Sequence, residues 1–149
     1  MSNRRVALAF DNKKNGMKAI EIGISQGSPV SPILFLIYLR PLFDKIKKQY
    51  ASTLLLSYID DVSILVSNKN VKQNISMLRD ITYTAFKWAD DNVVTFDDLK
   101  SELIHFEITH KMTREPIRLP NEIIIHPSEC IKWLGIWFDR KLNFNTYVK

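Results

Sequence analysis

The chain has 149 residues, enough for one domain or a large piece of one. Hydrophobic residues make up 46%, which excludes a disordered chain, and the single cysteine, Cys130, excludes an internal disulfide and suits a reducing, intracellular compartment. A net charge of +5 suits an anionic partner, nucleic acid first, and no apolar run approaches the roughly 18 residues that a membrane span needs.

Arg4 and Arg5 are followed by no apolar run of signal-peptide length. Strand-like sequence follows Met1 at once, so the chain is expected to start inside structure, without a leader. Residues 6–10 and 18–24 each have the pattern of a strand, with Asn12-Lys13-Lys14-Asn15-Gly16 as the turn between them. Ser28-Pro29 and Ser31-Pro32 are both a helix cap followed by a first-turn proline, so a helix is expected to begin there. Ile33, Leu34, Ile37 and Tyr38 fall on one face at helical spacing. Pro41 lacks an N–H and should kink or break this helix. Leu42, Phe43 and Ile46 continue the apolar face, while Asp44, Lys45, Lys47 and Lys48 face water.

Next come two apolar runs, Leu54-Leu55-Leu56 and residues 62–66, on either side of Tyr58-Ile59-Asp60-Asp61. That pattern predicts a tight β-hairpin with an Asp-Asp tip. A long helix is expected over residues 71–89, with Val71, Ile75, Leu78, Ala85 and Trp88 as its buried stripe. Residues 92–99 form a loop, 101–108, 117–119, 122–125 and 130–138 are expected strands, and 142–149 look like the start of a helix. The chain contains no internal repeat, low-complexity tract or flexible linker. The order is strand pair, helix, hairpin, helix, then strands, which predicts an α+β fold with helices packed on one face of an antiparallel sheet.

Two constellations carry chemistry. Asp60 and Asp61 would lift two anionic oxygen ligands out of a rigid hairpin. Hard divalent cations such as Mg²⁺ bind carboxylate oxygens together with substrate phosphates. Two such ions about 3.5–4 Å apart can stabilise the attacking and the leaving oxygen of a phosphoryl displacement. An isolated Asp-Asp turn could equally be a solvated hairpin end. Gln26-Gly27-Ser28-Pro29 is the second constellation. A glycine between strand and helix lets backbone approach a ligand closely, and the helix end offers free N–H groups to an anion. Taken singly, it is also an ordinary strand-to-helix turn.

Together, and in this order, Gln-Gly-Ser-Pro-Val-Ser-Pro-Ile-Leu-Phe (26–35) and Tyr-Ile-Asp-Asp (58–61) resemble the reverse transcriptase of non-LTR retrotransposons. The resemblance continues through Trp88, Asn92, Phe96, Lys100-Ser101-Glu102 and His105-Phe106, then through Lys132-Trp133-Leu134-Gly135-Ile136 and Asp139-Arg140-Lys141-Leu142-Asn143-Phe144. It covers nearly the whole chain and implies a polymerase palm, ending at the start of the thumb, with the fingers and the first metal strand outside it. The implied reaction is RNA-templated addition of deoxynucleotides to a primer 3′-hydroxyl. The implied cofactor is Mg²⁺, or Mn²⁺, and the implied partners are an RNA template, a DNA primer and deoxynucleoside triphosphates.

By the same resemblance Asp60 and Asp61 are metal ligands and Tyr58 packs near the primer end. Gln26, Gly27 and Ser28 line the path of template and incoming nucleotide, Lys100 lies near the nucleotide's phosphates, and Leu134 and Gly135 form the turn that holds the primer. The family carries a further metal-binding aspartate on a strand well upstream of Gln26. Ala9-Phe10-Asp11 imitates it, but residues 12–25 are too few for the helix and strand that belong between, so Asp11 is read as a turn residue and the isolated chain is expected to be inactive. Ser25 stands where the family usually has proline, and Tyr147 where histidine is frequent. The rival readings are a non-catalytic nucleic-acid-binding remnant and a group II intron-type reverse transcriptase.

Other residues point less far. His105, His110, His126 and Cys130 match no structural zinc spacing. Trp133 and Trp137 are expected to alternate on one strand face, as core. Asp97-Asp98 is expected to be a solvated loop, and Lys111, Arg114 and Arg118 a basic edge.

Overall fold

The computed structural model describes residues 4–6, 9–10, 13–14, 16, 18–20, 29–107 and 113–144. The chain divides into two units, Met1–Arg40 with Ser57–Asp61, and Pro41–Leu56 with Val62–Lys149. Its elements are β1 (Arg4–Val6), β2 (Ala9–Phe10), β3 (Lys13–Lys14), β4 (Lys18–Ile20), α1 (Ser31–Gln49), β5 (Leu54–Tyr58), β6 (Asp61–Leu65), α2 (Val71–Asp91), β7 (Ile117–Arg118), β8 (Ile124–Ile125), β9 (Cys130–Trp133) and β10 (Ile136–Asp139), with a short 3₁₀ turn at Asp98–Lys100. This is a mixed α+β chain. Among the described residues its strands form five separate two-stranded sheets, β1–β4, β2–β3, β5–β6, β7–β8 and β9–β10, rather than one continuous sheet.

Before α1 the described residues form two antiparallel pairs where the sequence predicts one, and Lys13-Lys14, expected in the turn, form β3. Arg4 stands opposite Ile20 and Val6 opposite Lys18, while Ala9 faces Lys14 in an inner pair, all antiparallel. Helix α1 begins at the second Ser-Pro pair, with Pro32 in the first turn, where its missing N–H has no helical partner to lose. The expected break at Pro41 does not occur, and α1 runs unbroken from Ser31 to Gln49. Leu39, Leu42 and Ile46 anchor the helix around this proline, each 1% exposed, and burial of such side chains contributes roughly 1.5–3 kcal/mol apiece, enough to offset one lost backbone bond. The N-terminal half departs from the predicted face: Ile33, Ile37 and Tyr38 are exposed, and the fully buried position there is Leu39.

Helix α2 is capped by Asn70, whose side-chain oxygen accepts from Gln73 N–H at 2.9 Å. Its buried residues are Ile75, Ile81, Ala85, Trp88 and Ala89, so Ile81 and Ala89 replace the predicted Val71 and Leu78, which are half-buried. The helix packs against β7, where Ile117 and the following Leu119 are buried. Among the described residues no helix is long and apolar enough to cross a membrane.

The C-terminal end of α2 stores strain. Asn92 N–H and Val94 N–H both return to Ala89 O, at 3.1 and 3.0 Å, with Val93 between them at φ 56°. The bond from Val94 is the six-to-one bond of a Schellman-type end, which normally places glycine at this left-handed position. Valine there meets its own carbonyl at a cost of about 1–2 kcal/mol, and its side chain is 77% exposed, so it recovers little by burial. Val93→Gly should therefore stabilise the chain by about 1 kcal/mol, after the extra unfolded-state freedom of glycine is subtracted. Urea denaturation measures this. An unchanged or lower midpoint would show that the left-handed bend carries no strain.

Two predicted strands are corrected. Residues 101–107 form no strand, and Leu103 makes a single parallel bridge with Pro127. Proline has no N–H to donate, so the ladder cannot propagate through it. Residue 108 lies outside the described residues. The predicted strand 130–138 is a hairpin, β9–β10, because Leu134 and Gly135 turn the chain, with φ 50° and 82°. The predicted helix over 142–149 has not begun by Phe144. Leu142 and Phe144 have φ of 55° and 54°, and the Asp139 carboxylate accepts from Lys141, Asn143 and Phe144 N–H at 2.9, 3.1 and 2.7 Å, closing a loop instead. The later residues of that segment lie outside the description.

Candidate active site

The β5–β6 hairpin is the element that carries the acidic pair. Its loop is Ile59-Asp60, and Asp61 opens β6. Of the two loop residues only Ile59 has positive φ, at 55°, the pattern of a type II′ turn, whose twist suits a hairpin but which normally takes glycine first. A β-branched isoleucine in that position is strained, and strain of this kind is characteristic of functional sites. Tyr58 and Ile59 are 57% and 37% exposed, and both aspartates are exposed as well. The donor set at the tip is thus two open carboxylates on adjacent residues, one in the turn and one on the strand. Hard cations take such oxygens, with water and substrate completing the shell. Among the described residues no three His, Cys, Asp or Glu side chains gather into a metal-holding group.

Strand β5 turns alternate residues outward. Leu54, Leu56 and Tyr58 are exposed, while Leu55 and Ser57 point inward and are half-covered. The Ser57 hydroxyl is covered and has no partner among the described residues.

Lys100 closes the 3₁₀ turn. Its ammonium lies 3.1 Å from Asp97, with the two side chains 82% and 52% exposed. Such an exposed pair contributes at most about 1 kcal/mol, so Lys100 is easily released to another anion. Asp98 differs from the solvated expectation. It is half-buried, with one carboxylate oxygen hydrogen-bonded by Asn121 and the other covered without a partner among the described residues. In the expected basic edge, Arg114 is exposed, Arg118 pairs with Glu122 at 2.6 Å, and Lys111 lies outside the described residues. Gln26, Gly27 and Ser28 also lie outside them, as do Asp11, Ser25, His110 and Tyr147.

Leu134 and Gly135 form the two-residue loop of the β9–β10 hairpin, in which Trp133 pairs with Ile136 and Lys132 with Trp137. Positive φ at both positions is the type I′ pattern. A side chain on Gly135 would meet nothing within 4 Å, so its requirement is conformational, φ 82°, and not steric crowding. Trp133 and Trp137 do not share a face, contrary to the expectation. They sit on opposite strands in successive pairs, and successive pairs point to opposite faces of a sheet.

One cluster has no signature in the sequence. Arg140 reaches Glu107 at 2.7 Å and Glu129 at 3.4 Å, and the backbone joins them too, with Glu107 N–H on Arg140 O and Arg140 N–H on Glu129 O. The Arg140 and Glu107 side chains are only 15% and 10% exposed. Burial by itself would raise the Glu107 pKa. The hydrogen bonds from Thr113 and the neighbouring Arg140 outweigh it and hold the carboxyl below its ordinary value of 4.5.

The chain belongs to the reverse transcriptase (RNA-dependent DNA polymerase) family, whose model matches residues 3–138. Its relatives come from mobile elements. It is 23% identical over 148 residues to the probable RNA-directed DNA polymerase from transposon X-element of Drosophila melanogaster, an alignment that takes in 99% of this chain and 16% of that protein. It is 24% identical over 151 residues to the RNA-directed DNA polymerase from mobile element jockey of the same fly, with 99% and 16% covered. For the probable polymerase from transposon BS the figures are 25% over 153 residues, with 100% and 17% covered. The chain therefore spans about a sixth of the length of these relatives. No solved structure matches it.

Proposed function

We propose that this chain is the palm portion of a retrotransposon reverse transcriptase, which adds deoxynucleotides to a primer 3′-hydroxyl on an RNA template. The observation that carries the reading is the exposed Asp60-Asp61 pair on a strained hairpin tip, inside a chain matched by the family over residues 3–138. Asp60 and Asp61 would hold Mg²⁺ or Mn²⁺, which supplies charge stabilisation to the transferring phosphoryl group when bound. The hairpin fixes the two carboxylates on rigid backbone, so little ordering remains when a nucleotide arrives. Tyr58, the residue before the loop, offers an exposed ring beside them for the primer end. Lys100, paired with the exposed Asp97, would move to the phosphates of the incoming nucleotide. Leu134 and Gly135 would bear on the primer, and Gln26, Gly27 and Ser28 on template and nucleotide.

The metal assignment is tested without turnover. Mn²⁺ titrated into the isotope-labelled chain should broaden the amide signals of residues 58–62 before others. Asp60→Asn combined with Asp61→Asn should remove that selectivity. Broadening that starts elsewhere, or survives the double substitution, would refute the assignment.

A further inference from the structure

Among the described residues the β5–β6 hairpin is a two-stranded sheet of its own, with no further strand bonded to either edge. A lone hairpin is marginally stable in water, so what steadies it must come from outside its own ladder. Both of its ends lead to one atom. Thr53, the residue before β5, donates its hydroxyl to the Met77 sulfur at 3.8 Å. Asn68, shortly after β6, donates its side-chain N–H to the same sulfur at 3.6 Å. Met77 lies on α2, and all three residues belong to one unit of the chain. Thr53 N–H also returns to Tyr50 O at 3.0 Å, which closes the turn from α1 into β5.

Thr53 is 6% exposed, and among the described residues it is the only buried one that is polar or charged. A covered hydroxyl without an acceptor is costly, and here the sulfur is that acceptor. A thioether accepts weakly, but it is large and polarizable, so it can take donors from two directions. We propose that Met77 is a positioning residue for the hairpin: its sulfur gathers both feet, Thr53 and Asn68, onto α2 and keeps the base of β5 and β6 from opening. Asp60 and Asp61 are carried at the other end of the same two strands. A base that stays closed keeps the strands paired up to the loop, so the two carboxylates hold one arrangement. The latch stands on these contacts alone, whereas its bearing on a metal ion rests on the function proposed above.

Amide hydrogen exchange of the 149-residue chain tests the latch. Met77→Leu nearly conserves volume and removes the acceptor. Amides of residues 54–56 and 62–65 should then exchange about fivefold faster or more, the effect of one covered hydroxyl left unpaired. Thr53→Val should act in the same direction. The two substitutions together should give less than the product of their separate factors, because they remove the same bond. Ile117→Val is the comparison. It trims the packing of β7 on α2 and should leave the hairpin amides at wild-type rates, since the hairpin opens separately from the rest. The amide signals of residues 58–62 should shift in Met77→Leu and stay in place in Ile117→Val, because strand pairing carries a change at the base to the loop. If Met77→Leu does not fold, Thr53→Val and Asn68→Ala carry the same comparison. Hairpin exchange that ignores these substitutions, or that responds equally to Ile117→Val, would overturn the latch. Unmoved signals at residues 58–62 would overturn the positioning role. Neither measurement uses a metal ion, so the metal assignment of Asp60 and Asp61 stands or falls separately, by the Mn²⁺ titration.

Discussion

Primer extension should fall by about a thousandfold or more when Asp60 becomes alanine in a chain completed upstream of Met1. The completing segment is the corresponding part of the X-element relative, which aligns with this chain over 148 residues. The size follows from the role proposed for the metal: stabilising the charge of a transferring phosphoryl group contributes several kcal/mol, and about 4 kcal/mol is a factor of roughly a thousand in rate. If Asp60 and Asp61 have the proposed metal role, the 149-residue chain by itself should not extend a primed RNA with either Mg²⁺ or Mn²⁺, because these two carboxylates would supply only part of a two-ion ligand set and the completing segment would supply the rest. Ser25→Pro in the completed chain should be tolerated. The assay is extension of a DNA primer on an RNA template by the completed chain, its Asp60→Ala form and its Ser25→Pro form. A completed chain that folds yet extends nothing, with Ser25 or with proline, would reverse the assignment in favour of nucleic-acid binding without catalysis. Extension by the isolated 149 residues that vanishes in Asp60→Asn would bring Asp11 back as a ligand.

The second large effect concerns stability. Glu107→Ala should cost about 3 kcal/mol, because among the described residues it leaves the mostly covered Arg140 guanidinium with only the 3.4 Å contact to exposed Glu129. That is a substantial part of the roughly 5–15 kcal/mol a domain possesses. Replacing both partners with apolar residues, Glu107→Leu with Arg140→Met, should recover most of it, since neither charge then remains unpaired. Acid probes the same contact. The Glu107 carboxyl is held below 4.5 in the folded chain, so its contribution is fully present above about 4.5 and disappears as pH falls through the lowered value. Urea midpoints measured on both sides of pH 4.5 should fall with acid in the wild-type chain and less steeply in Glu107→Gln. Equal slopes would mean that the cluster contributes nothing through ionisation.

Much of this protein is written locally. The start of α1, the Asp60-Asp61 hairpin and the span of α2 follow from residues close in sequence: a Ser-Pro start, apolar runs around turn residues, and an amphipathic stretch. The family, too, is legible in short ordered blocks. These features need only neighbouring side chains and backbone preference, so the sequence determines them.

The rest was settled by contacts that local pattern does not contain. Pro41 stays within a helix because Leu39, Leu42 and Ile46 are buried around it, and burial outweighs one missing hydrogen bond. The strand expected over 101–108 is reduced, within the described residues 101–107, to a bridge because its partner is Pro127, far along the chain. Trp133 and Trp137 look equivalent in the sequence, four apart, yet the Leu134-Gly135 turn folds them into adjacent pairs and sends them to opposite faces. Glu107 finds Arg140 across 33 residues, a distance over which no periodicity acts. Chain entropy makes each such long-range contact unpredictable from its ends alone, since closing the loop is worthwhile only when the whole set of contacts forms together.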